Sequence, residues 1–364
     1  MNVSVKGNEQ ITKLLNNWYI EVRSRNLSNA HLLKIEIDKR IDDVKKDQNL
    51  LLYYSLLDFR YQYVIDNIGV SAHSFDEIEA FDIPKDNLLT YYYHFFKAIH
   101  ASTIGNYTIA KDNYDKAESI LEFIKDDVEH AEFYYKLGAF HYDIYDSLKA
   151  IHYVNKAKDI FLKHNNSDRN IGFCENLLGM CCINLKEYEL AEEHLVKAMD
   201  IFQKLGEDKY TIMVRHNLGV MYSEQNMSEL AIRHLSEVHK HKPSHYKAML
   251  IEGKERLKLE DSETAITLFN RGLNICNNLG NKEYQHRFNI LKAISENISI
   301  DKLEDIILAG VEYFNREKLH KYIYEYLDVL AHKYYGSDNH IKASKYFYLS
   351  SQAQKQAFEE ALLK

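Results

Sequence analysis

A Leu-Gly pair recurs three times in this chain, as Leu137-Gly138, Leu178-Gly179 and Leu218-Gly219. Twelve residues after each Gly stands an Ala (Ala150, Ala191, Ala231). Four residues further on is an aliphatic residue (Val154, Leu195, Leu235), and three beyond that a small one (Ala157, Ala198, Val238). The Ala-to-Ala spacing is 41 and then 40 residues. A unit of that length is one helical hairpin, too small to bury its own apolar face, so copies must stack into a continuous core. Gly and Ala then mark the close crossing of two antiparallel helices, and the aliphatic residue faces the next hairpin.

The pattern resembles the tetratricopeptide repeat, with helices a few residues longer than its usual unit of roughly 34 residues allows. The rest of the chain permits an all-α fold. Only 2 Pro and 13 Gly among 364 residues leave helices possible nearly everywhere. A net charge of -8 argues against non-specific binding to nucleic acid or an anionic membrane. No apolar run approaches membrane-spanning length, and the polar N-terminus lacks a signal-peptide core, so a cytoplasmic location is expected. Cys174, Cys181, Cys182 and Cys276 have neither metal-ligand spacing nor a disulfide framework and read as reduced core residues.

Three amphipathic helices precede the repeats and predict a bundle over residues 1–68. The first carries Ile11, Leu15, Trp18 and Val22. The second has Ser28 as its N-cap and the stripe Ala30, Leu33, Ile37, Ile41 and Val44. The third starts near Asp47, with Leu50, Tyr53, Leu57, Tyr61, Val64 and Ile68 on one face. On the opposite face Phe59, and less so Leu52, are out of place. Either they pack on another helix of the bundle or on the repeats, or they form a partner-docking patch beside Asp47-Gln48. Residues 69–87, acidic and interrupted by Pro84, read as a linker. Seven hairpins are expected over 88–364, of which the sixth, around Leu303 to Phe314, is degenerate. Such an array coils into a right-handed superhelix whose first helices line a concave groove suited to a peptide.

The run from Asp47 to Arg60 (DQNLLLYYSLLDFR) resembles the corresponding run of the Rap family of bacterial regulators. Asn17-Trp18-Tyr19, Tyr91 to Ala98 (YYYHFFKA) and Glu129 to Lys136 (EHAEFYYK) agree with the same family, in the same order. The resemblance implies a three-helix bundle followed by a tetratricopeptide domain. It also implies action on a response regulator, either as an aspartyl-phosphate phosphatase or by blocking a transcription factor without hydrolysis. A short signalling peptide bound in the groove would switch the regulator off.

By that resemblance Gln48 is the catalytic residue, inserted into the response regulator's active site. Its neutral amide can accept from an in-line water and donate to a phosphoryl oxygen, where a carboxylate would repel the phosphoryl group. Asp47, Leu51 and Phe59 are then docking residues. Mg²⁺ would sit on the response regulator, so no cofactor or metal site of this chain's own is expected. Lys45 and Lys46 stand where relatives often have acids, which bears on partner choice and activity. Asn217 matches an Asn that holds the bound peptide's backbone; the alternative is an Asn tied to a neighbouring helix. Asn184 stands where relatives often carry an Asp that pairs with a basic peptide residue, and a neutral amide discriminates less for Arg or Lys. His239, His241 and His245 straddle Pro243 and a helix boundary and read as a surface cluster rather than a metal site.

The sequence therefore predicts a peptide-inhibited response-regulator phosphatase. Its first rival is a non-catalytic binder that sequesters a response-regulator transcription factor. A second rival, a peptide-controlled DNA-binding regulator, conflicts with the balance of ten Lys/Arg against nine Asp/Glu in residues 1–70. The bundle faces and the terminal repeats leave a homodimer possible.

Overall fold

The computed structural model describes residues 9–41, 47–82 and 86–362, and among these there are helices and turns but no strand. Three helices open the chain: α1 (Glu9–Arg23), α2 (Leu27–Asp38) and α3 (Gln48–Ile65), followed by the single turn α4 (Asp76–Glu79). Seven hairpins follow. They are α5 (Asn87–Thr103) with α6 (Tyr107–Leu121), α7 (Asp127–Asp143) with α8 (Ser147–Phe161), α9 (Asp168–Asn184) with α10 (Tyr188–Lys204), and α11 (Asp208–Glu224) with α12 (Ser228–His241). Then come α13 (Tyr246–Lys258) with α14 (Ser262–Leu279), α15 (Lys282–Ser295) with α16 (Ile300–Arg316), and α17 (His320–Gly336) with α18 (His340–Leu362). The sixth repeat, degenerate in sequence, is a complete hairpin. Two compact units form: Met1–Phe140 with Tyr153–Cys174, and His141–His152 with Glu175–Lys364.

In the first unit α1, α2 and α3 make the bundle around Leu15, Trp18, Val22, Ala30, Ile37, Leu50 and Leu57, all fully buried. The Trp18 ring meets Tyr61 at 5.4 Å and Tyr54 at 6.1 Å. The second helix differs from the sequence reading at both ends. Its N-cap is Asn26, preceded by the left-handed Arg25 (φ 57°), so Ser28 lies inside the first turn. It stops at Asp38, which leaves Ile41 beyond it, and Val44 lies outside the described residues.

The expected linker is a packed connector. Val70, Phe75 and Ile78 are buried, and Phe75 stacks on His100 of α5 at 5.5 Å while taking the edge of Phe59 at 5.1 Å. His100 Nε2 bonds the Ser71 carbonyl at 2.9 Å, and Lys97 pairs with Glu79 at 3.0 Å. Acidity and Pro84 dominate the sequence of this segment, but its apolar residues (Val70, Phe75, Ile78) are enough to anchor it on α5.

Each of the seven hairpin turns holds one left-handed residue: Gly105, Tyr145, Lys186, Asn226, Glu260, Asn297 and Asp338. Only the first is Gly, so six of these turns place a side chain where the backbone disfavours one. Close helix crossing at the repeat glycines is direct. A Cβ at Gly179 would lie 2.8 Å from Leu195 Cγ, and one at Gly219 2.8 Å from Leu235 Cγ. Leu195 and Leu235 therefore pack against the Gly of their own hairpin, and Leu235 also shares a buried cluster with Ala248 of the next one, the direction the sequence reading expected.

Candidate functional site

The N-terminus of α3 is built by its cap. The first backbone N–H groups of a helix lack intrahelical partners, and an Asp just outside can accept from one of them. Asp47 does so, its Oδ1 taking the Leu50 N–H at 3.1 Å. This fixes Gln48 as the first residue of α3, exposed, its amide without a hydrogen bond to any described residue. The open end of a helix also favours an anion. Leu51 is half-buried, and Lys45 and Lys46 lie outside the described residues.

Phe59 requires correction. It is 5% exposed, wedged against Phe75 and His100, and Leu52 is 1% exposed. Of the two readings the sequence left open, packing is what the structure shows: Phe59 closes the core between α3, the connector and α5. As it stands it offers no surface to a partner.

The middle of α3 is held by charge. Arg60 donates to Glu132 of α7, and Arg25 reaches the same carboxylate at 3.2 Å. Glu132 is fully buried and Arg60 nearly so. Burial pushes the Glu132 carboxyl up, but Arg25, Arg60 and Lys136 outweigh it and hold the carboxyl below its ordinary value. One turn earlier on α7, Glu129 accepts from Tyr19 at 2.9 Å, Tyr91 at 3.0 Å and Arg23 at 2.9 Å. The bundle is thus seated on the first repeats through two buried carboxylates, neither of which the sequence reading singled out. The signal available was their spacing: Glu129 and Glu132 share a helix face with Phe133 and Lys136.

In the second unit, seven-residue spacing identifies the inner face of the repeats, because residues seven apart lie on one side of a helix. On α11, Glu224 reaches Lys321 of α17 at 3.5 Å, and Asn217 stands seven residues before it. On α13, Lys254 pairs with Glu325 of α17, and Lys247 stands seven residues before it. Asn217 Nδ2 donates to Asn176 Oδ1 of α9 at 2.6 Å, and its Oδ1 is bonded to His216 Nδ1 at 2.9 Å. Asn217 is tied to a neighbouring helix, with one amide N–H uncommitted among the described residues. Asn184, at the end of α9, has a buried Nδ2 with no hydrogen-bond partner among the described residues.

The histidines are not a surface cluster. His245 is buried as the N-cap of α13, accepting from the Ala248 N–H at 3.1 Å, and its ring lies 4.7 Å from that of His216. His239 pairs with Glu252 at 3.6 Å, and only His241 is exposed. Burial drives the His216 imidazole down to about 4; the Asn217 contact opposes this and the Lys247 ammonium adds to it. Among the described residues no three His, Cys, Asp or Glu side chains are grouped to hold a metal. No helix among them is long and apolar enough to cross a membrane.

Two family models match segments of the chain. A family model described as response regulator aspartate phosphatase H, N terminal, matches residues 5–66, and a tetratricopeptide-repeat model matches 174–244. Response regulator aspartate phosphatase I of Bacillus subtilis (strain 168) is 24% identical over 362 residues, covering 95% of this chain and 90% of that protein. Response regulator aspartate phosphatase H of the same organism is 26% identical over 325 residues, 85% of each chain. The crystal structure of a Rap protein complexed with competence and sporulation factor superposes with a TM-score of 0.79 at 21% identity. It covers 97% of this chain and 99% of that one, a likeness of fold. In sequence and in fold, the chain is similar to proteins of the Rap family over nearly its whole length.

Proposed function

We propose that this protein removes the phosphoryl group from the phospho-aspartate of a response regulator, under control of a short peptide bound on the inner face of the repeats. The observation that carries the reading is Gln48: an exposed, uncommitted amide fixed at the tip of α3 by the Asp47 cap, within the segment matched by the phosphatase family model. An acyl phosphate is intrinsically labile, so the enzyme need only hold a water in line with phosphorus. The Gln48 carbonyl oxygen accepts from that water while its N–H donates to a phosphoryl oxygen. The Mg²⁺ that neutralises the phosphoryl charge would be held by the response regulator. Asp47 acts by setting the helix start, a positioning role, and Leu51 lies beside it for docking. Asn217, with one N–H still free, offers a peptide backbone its bond.

The test is single-turnover loss of labelled phosphate from phosphorylated response regulators, with wild type and Gln48→Ala. Rapid loss with wild type and none beyond the spontaneous rate with the variant is expected. If both proteins bind a regulator and neither accelerates loss, the protein sequesters its partner instead.

A further inference from the structure

Among the described residues, cations on the inner face of the second unit include Lys247 and Lys254 on α13, Arg287 on α15, and Lys321 on α17. Three are matched by carboxylates. Lys254 pairs with Glu325, Lys321 with Glu224 at 3.5 Å, and Arg287 with Glu283 at 3.0 Å. Arg287 is further sandwiched between the rings of Tyr284 at 4.6 Å and Tyr322 at 4.2 Å. Lys247 has no ion pair or hydrogen bond with any described residue; its ammonium only lies over the Tyr284 ring, 5.6 Å from the centroid. Asp143 and Glu283 act on it through the field alone. A half-buried ammonium among rings, matched by no carboxylate, is an unfilled half of an ion pair.

We infer that Lys247 binds a carboxylate of the regulatory peptide, so that the peptide this chain answers to is one carrying a negative charge near the residue held by Asn217. The inference rests on the peptide-groove reading and adds the chemical class of the ligand. Asn217 and Lys247 stand on α11 and α13, first helices of consecutive hairpins, which lie about 10 Å apart where such helices adjoin. An extended peptide advances about 3.3 Å per residue, so the carboxylate falls about three residues from the clamped backbone. Asn184 agrees with this polarity: its buried Nδ2 is a donor without an acceptor among the described residues. The carboxylate is either the free C-terminus or an Asp or Glu side chain; both present the same group to Lys247.

Full-length protein is incubated with degenerate pentapeptide pools, and the peptides that co-elute on size exclusion are identified by mass spectrometry. One pool ends in free carboxylates, one is amidated, and one is amidated with a fixed central Glu. Wild type is expected to retain free-carboxylate members, which assigns the C-terminus, or only Glu-bearing members, which assigns a side chain. Lys247→Met should lose this retention about tenfold to a hundredfold, and Lys247→Arg should restore most of it. Lys247→Glu should retain Lys- and Arg-bearing peptides instead. The proposal is overturned if Lys247→Met retains the same peptides as wild type while Asn217→Ala does not, an outcome that leaves the groove reading standing. Retention of no peptide by wild type overturns both. Thermal unfolding of each variant at the wild-type midpoint shows that loss of binding is not loss of fold.

Discussion

Replacing Glu132 with Gln keeps the shape of the side chain and removes the charge that two buried guanidinium groups share. Arg60 is 1% exposed and Arg25 5%, so neither can turn to water without moving α3 or the turn between α1 and α2. Arg60 already has Nε and Nη1 without hydrogen-bond partners among the described residues, which leaves Glu132 as its main compensation beside the Tyr63 ring at 5.0 Å. Breaking a buried pair from one side costs about 3–5 kcal/mol, because the remaining charge stays desolvated. For a cooperative unit of this size that is a fall in Tm of roughly 6–20 °C. Circular dichroism melts of the full chain check it, with exposed Glu122→Gln, expected within about 0.5 kcal/mol of wild type, as the control. Charge matters here as well as shape, so the loss should also appear in wild type on acidification. The Glu132 carboxyl is held below its ordinary value, so its contribution is complete above the unfolded carboxyl range and vanishes as pH falls through the folded one. A loss under about 1 kcal/mol for Glu132→Gln would refute the claim that these carboxylates seat the bundle.

Two further outcomes follow from the same kind of reasoning. Gly179→Ala should cost about 1–2 kcal/mol by chemical denaturation, since its Cβ would meet the fully buried Leu195 at 2.8 Å and overpacking outweighs the gain in helix propensity. Gly336→Ala, with nothing within 4 Å, should be neutral or stabilising by up to about 1 kcal/mol, and equal effects at the two sites would contradict the close-crossing account. The buried His216, lowered to about 4, contributes stability that is complete above the unfolded imidazole value and is lost as pH falls towards the folded one. That amounts to about 3 kcal/mol between pH 7 and pH 4, and His216→Phe should flatten the denaturation profile over that range; an unchanged slope would remove His216 as its source.

The sequence was most legible where a period repeats and least where one residue must be chosen between two burials. Leu178-Gly179 with Ala191, and its copies, predicted the hairpins, because an offset of this kind has one cheap structural solution. Asp47 announced the start of α3 through its chemistry as a cap. Phe59 did not announce its partners: the face it shares with Gln62 and Asp66 looks exposed until Phe75, sixteen residues on and in an acidic stretch, is known to cover it. Glu129, Glu132 and Lys247 escaped for a related reason. A charged residue on a helix is ordinarily solvated, and only the arrangement of distant helices shows that two of these are buried with partners and the third has no ion pair or hydrogen bond among the described residues.

The way α3 is held has a mechanical consequence. Gln48 stands at one end of a rigid rod, and Arg60, twelve residues along, is the point at which the rod is pinned to α7. At about 1.5 Å per residue the arm between them is about 18 Å long. A tilt of about 10° about the pin would carry Gln48 by about 3 Å, whereas a misplacement of about 1 Å can already cost a hundredfold in rate. A signal therefore need not reach or cover the amide proposed as catalytic to silence it. Any event that slightly reorients the Arg60–Glu132 pivot is amplified along the helix, and the long arm converts a small change in seating into an all-or-none loss of alignment.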